Sequence, residues 1–72
     1  MKRTFKVLLE QDEDGMFTAR VPELPGCLSD GKTRDQALAR VREAIQGYLE
    51  TLHEEGWPLP NIVAEESITV EV

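Results

Sequence analysis

The residues whose types and spacing most invite a chemical reading are the clustered carboxylates, the single cysteine and the single histidine. Glu10, Asp12, Glu13 and Asp14 fall together just ahead of Gly15. Asp12, Glu13 and Asp14 are the carboxylates that could hold a hard cation. The run lacks, however, the twelve-residue calcium-loop pattern with its alternating oxygen ligands and distant glutamate. An acidic hairpin turn accounts for it more simply. Cys27 follows Pro25-Gly26 and would act as a nucleophile only if something local lowered its pKa. No such cause is visible, so it reads as a small buried hydrophobe. His53 lies among Glu50, Glu54 and Glu55 with no nucleophile placed for it to activate, and reads as a surface imidazole. One thiol and one imidazole make a poor zinc site, and a lone cysteine excludes an intrachain disulfide. Gly15, Gly26 and Gly31 are scattered turn residues with no phosphate-cradling loop among them. No catalytic site, metal or cofactor is therefore expected. The enzymatic alternative is a metal-dependent nuclease built on Asp12 and Asp14, and no convergent site speaks for it.

The element that must position these groups is an amphipathic helix expected over about residues 34–55. Thr33 is a natural N-cap, and Gln36 stands three residues on, where its side chain can return a bond to the Thr33 N–H. Leu38, Val41, Ile45, Tyr48 and Leu52 recur at spacings of three and four, and Ala37, Ala44 and Leu49 widen the stripe. Gly56 offers a left-handed stop, and Pro58 and Pro60 forbid continuation. A stripe this broad needs a flat apolar surface against it.

That surface is expected from strands. Phe5, Val7 and Leu9 alternate with Thr4, Lys6, Leu8 and Glu10, and Phe17, Ala19 and Val21 with Thr18 and Arg20, giving a hairpin of strands at about 4–10 and 16–21 closed by Gly15. Pro22 to Gly26 cannot continue the second strand, and Leu24 reads as an apolar plug beneath the helix. A short third strand is expected at about 27–29, cut off by Asp30-Gly31. Ile68, Val70 and Val72 alternate with Thr69 and Glu71 as a fourth at about 67–72. A right-handed crossover would set strand four parallel to strand three, beside strand one. The expected fold is thus α+β and two-layer, β-β-β-α-β, with one four-stranded mixed sheet in order 3-2-1-4. The helix packs on one face, and a single domain spans residues 1–72.

Seventy-two residues bury only about 60% of their unfolded surface, so a partner subunit is a common remedy and a homo-oligomer is expected. With no long apolar run and no leader-like start, the chain is expected to be neither membrane-spanning nor secreted, hence cytoplasmic. The net charge is −6, and residues 43–72 carry seven glutamates and no Lys or Arg. That half is unsuited to neutralising nucleic-acid phosphates and suited to a basic protein partner. Glu50, Glu54 and Glu55 sit at a helix C-terminus, where the dipole favours cations, so stability alone does not explain them. Trp57 reads either as a cap on the core, which the small size favours, or as an anchor for a partner.

These residues also carry a resemblance. Asp12-Glu13-Asp14-Gly15, Phe17, Ala19 and Val21-Pro22-Glu23-Leu24-Pro25-Gly26-Cys27 resemble the opening motif of HicB-like antitoxins. Ser29, Gly31 and Thr33 resemble the family's lead into its helix. Ala37-Leu38, Glu43-Ala44-Ile45, Tyr48-Leu49, Gly56, Pro58 and Pro60 resemble the helix and connector. The resemblance implies a partly RNase H-like domain. It implies a protein that is not an enzyme and that silences a small basic mRNA-cleaving ribonuclease toxin, HicA, with a double-stranded-RNA-binding-domain-like fold. Many family members carry a C-terminal DNA-binding module. The present sequence runs only to the expected last strand, so no such module and no direct DNA binding are expected. Charge and exposure nominate Glu10, Asp12, Glu13 and Asp14 on the hairpin, and Glu50, Glu54, Glu55 and Trp57 around the helix end, as contacts to the toxin. The alternative is a solitary homo-oligomeric regulator or scaffold of the same fold.

Overall fold

The computed structural model describes residues 3–59, 64 and 66–71. Three strands, β1 (Leu8–Gln11), β2 (Phe17–Arg20) and β3 (Leu28–Gly31), precede one helix, α1 (Arg34–Glu55). The sheet is antiparallel in the order β1-β2-β3. Its register sets Leu9 and Ser29 on either side of Ala19, and Gln11 and Gly31 on either side of Phe17. These alternate residues face the helix. Leu8, Arg20 and Leu28 form a row on the opposite face.

The expected four-stranded mixed sheet is therefore corrected to three antiparallel strands. Residues 67–71, expected as part of a fourth strand, join no ladder, and Val72 lies outside the described residues. Ile68 and Val70 keep the alternation of a strand, but they stand 87% and 71% exposed. Alternation creates an apolar face without guaranteeing a surface for it to meet. β1 is also shorter than expected: residues 4–7 join no ladder among the described residues. Their partner would be chain beyond Arg20, and that chain turns away at once. Pro22 and Pro25 each fall at the second position of a tight turn, closed by Leu24 N–H to Val21 C=O (3.1 Å) and Cys27 N–H to Leu24 C=O (2.9 Å). Gly26, at φ +80°, takes the third position of the second turn. β3 lies later than expected: Asp30 and Gly31 remain in the ladder, and the Thr18 hydroxyl donates to Asp30 Oδ1 at 2.9 Å.

The helix matches its expected span. Thr33 Oγ1 accepts from the Gln36 N–H at 3.0 Å. Gln36 Oε1 accepts from the Lys32 N–H at 2.7 Å rather than from Thr33, so the reciprocal bond falls one residue earlier than the sequence suggested. At the far end Gly56 (φ +70°) donates to His53 C=O and Trp57 N–H donates to Leu52 C=O at 2.9 Å, a Schellman ending.

The buried core comprises Ala19, Val21, Leu24, Cys27, Ala37 and Val41, with Phe5, Val7, Leu9, Phe17, Ala44, Ile45, Tyr48 and Leu49 packed around it. Leu24 is the plug the sequence suggested. At one corner sheet and helix nearly touch: a Cβ built on Gly31 would lie 2.4 Å from Ala37 N and 2.9 Å from its Cα. Arg40 ties the same corner by donating to Asp30 C=O at 3.0 Å. Gly47, in mid-helix, has nothing within 4 Å of the same built atom.

Two glycine-to-alanine changes should then act in opposite directions. Gly31→Ala forces the first helical turn off the sheet and is expected to cost about 1–3 kcal/mol. Gly47→Ala adds helix propensity without a clash and should gain about 0.5–1 kcal/mol. Urea unfolding of both variants checks the pair.

Candidate functional site

The fold separates the eight nominated contact residues into two groups. The first lies on the β1–β2 hairpin. Asp12 N–H donates to Met16 C=O at 3.0 Å, Gly15 N–H donates to Asp12 C=O at 3.1 Å, and Gly15 takes φ +85°. Asp12 Oδ1 accepts from the N–H groups of Asp14 (2.9 Å) and Met16 (3.0 Å). That carboxylate therefore organises the turn. Glu10 Oε1 is engaged by the Arg20 guanidinium across the β1–β2 ladder. Glu13 and Asp14 are the hairpin carboxylates left facing solvent with no ion pair among the described residues.

The second group lies at the other end of the helix. Phe17 pairs with Gly31, and Gly31 packs on Ala37 in the first helical turn, so the hairpin sits near the start of α1. Glu54 follows Ala37 by about 25 Å of helix at 1.5 Å per residue. Glu50, Glu54 and Glu55 are exposed there without an ion pair among the described residues. Trp57 is 59% exposed. It does not cap the core as its size suggested, because the Schellman turn carries the chain beyond the sheet.

Trp57 instead stands at the rim of an open groove of about 370 Å³, lined mainly by Cys27, Leu28, Gly47, Tyr48, Leu52 and Trp57 itself. Two features build it. The helix, about 33 Å long, overruns strands of about 13 Å. Gly47 then leaves the overhanging face without a side chain. Leu28, 50% exposed, presents an apolar edge beside it. Glu54 and Glu55 follow Gly47, Tyr48 and Thr51 at helical spacing, one turn further along the same face. The result is an apolar trough whose far lip is acidic. Sequence reasoning named the lip and the tryptophan but missed Leu28 and Gly47. The available signal was Gly47 itself, a glycine in mid-helix where alanine would be more stable by about 1 kcal/mol.

Among the described residues no cluster of His, Cys, Asp and Glu could hold a metal ion. Nor is any helix among them long and apolar enough to cross a membrane. Cys27 is buried, and burial pushes its thiol pKa up.

Comparison with known proteins agrees with the motif reading. The model of the HicB-like antitoxins of bacterial toxin–antitoxin systems matches residues 5–71. A UPF0150 protein of Thermoplasma acidophilum is 44% identical over 66 residues, covering 92% of this chain and 94% of its own. One from Archaeoglobus fulgidus is 48% identical over 46 residues, 64% of this chain and 67% of its own. Among solved structures, the N-terminal domain of the Burkholderia pseudomallei antitoxin HicB superposes with a TM-score of 0.71 at 34% identity. That match covers 85% of this chain and 72% of the other.

The buried thiol gives a test. Cys27 should react with a thiol reagent such as Ellman's only as fast as the domain opens, and at full rate in denaturant. Because the folded state holds the proton more tightly than the unfolded one, stability should fall as pH rises through the ordinary thiol range, and Cys27→Ala should flatten that slope.

Proposed function

The chain belongs to the HicB-like antitoxin family, and from that premise we propose that it neutralises a small basic HicA-type mRNA-cleaving ribonuclease by covering its RNA-binding surface. Family membership suggests a binding protein rather than a catalyst. The observation that carries the finer reading is the groove beside Trp57 with its acidic lip. A surface that binds RNA phosphates through Lys and Arg is the complement of carboxylates held without cations of their own. The helix C-terminus strengthens the complementarity, since its carbonyl ends add partial negative charge to that of Glu54 and Glu55. Trp57 supplies the large, half-exposed aromatic that interface centres favour. Glu13 and Asp14 form a separate, weaker acidic spot at the hairpin. Inhibition needs no chemistry: occupying the cationic face denies it to RNA. The setting is the cytoplasm, where mRNA is degraded. No operator-binding role is assigned to residues 43–72, with their seven glutamates and no Lys or Arg.

Reversing Glu50, Glu54 and Glu55 to Lys should slow association with such a ribonuclease at least about tenfold and flatten its salt dependence. The same change should raise the stability of the isolated domain by about 0.3–1 kcal/mol per residue, because it relieves the helix dipole. Trp57→Ala should weaken the complex by about 2 kcal/mol, read as faster dissociation. Stopped-flow association and urea unfolding on the same variants give both readouts. Unaltered binding by the triple variant would remove the helix end from the interface.

A further inference from the structure

The second groove of the domain lies on the opposite flank of the overhanging helix. It is larger, about 650 Å³, and its apolar lining is Phe5, Val7, Leu38, Ile45 and Leu49, with Arg3 and Arg42 at its margins. β1 is an edge of the sheet, and among the described residues no strand lies on its outer side. Residues 3–7, which lead into β1, lie outside any strand, yet Phe5 and Val7 point inward against the core. This flank is thus an apolar floor beside a sheet edge.

Residues 66–71 have the matching properties and join no ladder among the described residues. Ile68 and Val70, two residues apart, share one side of an extended chain. They are the two most exposed large hydrophobics among the described residues. Glu66 and Glu71 bracket them, opposite in charge to Arg42 and to Arg3, whose guanidinium also lies 3.7 Å from Glu23. Within its own chain the segment joins no ladder and leaves Ile68 and Val70 exposed, so these side chains do not cover that chain's own floor.

We propose that residues 66–71 of one copy add a strand to the β1 edge of a second copy, and that the second copy returns the same segment to the first. Ile68 and Val70 cover Phe5, Val7, Ile45 and Leu49 of the partner, and the glutamates meet its arginines. Each chain keeps its own three-stranded sheet. The exchange is two-fold, closed and self-complementary, so it makes a dimer and not a filament. It also covers an edge that would otherwise invite uncontrolled pairing. The groove bearing Trp57 lies on the other flank of the helix, so the dimer leaves it open, and the proposal holds independently of the toxin reading.

The test uses the full chain alone. Sedimentation equilibrium should give twice the 8.1 kDa chain mass at micromolar concentration. Ile68→Asp combined with Val70→Asp should weaken the dimer at least a hundredfold with the helical circular dichroism unchanged, since both side chains are exposed within their own chain. Isotope-filtered nuclear Overhauser spectra on a mixture of labelled and unlabelled wild-type chains need no substitution, and should show contacts from Val70 to Phe5 or Ile45 between copies. A monomeric wild type would overturn the proposal. So would a dimer indifferent to the double variant, or Val70 contacts found only within one chain.

Discussion

The closeness of β3 to the first turn of α1 governs this domain. Gly31 has no side chain, and any Cβ there would press on the Ala37 backbone at 2.4 Å. The helix is therefore pinned to one corner of the sheet and held by the Arg40 bond to Asp30 C=O. From that corner it runs about 33 Å over strands of about 13 Å. Its first half shares the buried core with Val21, Leu24 and Cys27. Its second half carries Ile45, Tyr48 and Leu49, which are only partly buried. The overhang follows from simple lengths, and the two grooves follow from the overhang.

The two flanks are finished differently. On one, Gly47 and Leu28 hollow an apolar trough and Trp57 stands at its rim, with Glu54 and Glu55 one helical turn beyond Thr51. On the other, Phe5, Val7, Ile45 and Leu49 form a floor with cationic margins. A domain with six buried apolar residues among those described has little stability to spare, and surface left unfinished for binding costs some of it. The glutamates at the helix C-terminus and the glycine in its middle are unfavourable for an isolated helix and sensible for a surface meant to be covered.

Much of this was legible in the residues. The helix was bounded by Thr33 at one end and Gly56 at the other because capping is local chemistry. Leu24 was recognisable as a plug because prolines flank it. The fourth strand was misread because alternation at Ile68 and Val70 describes a face and not its partner. Strand pairing is decided by distant chain, and here Pro22 and Pro25 turn that chain away just after Arg20, so β2 does not extend alongside residues 4–7. The candidate site was half legible. Charge at Glu54 and Glu55 and the exposed aromatic could be named. The role of Asp12 could not, because its carboxylate is consumed by two backbone N–H groups. Leu28 was hidden for a similar reason: which side of a four-residue strand faces water depends on register.

Amide hydrogen exchange along α1 in the dilute, isolated chain tests the overhang most directly. Amides of residues 38–41, over the sheet, should exchange only through global unfolding, whereas those of residues 48–52 should exchange at least about tenfold faster through local opening. Uniform protection from Val41 through Leu52 would contradict the account. It would mean that the chain supports its whole helix unaided and has no unfinished surface to offer a partner.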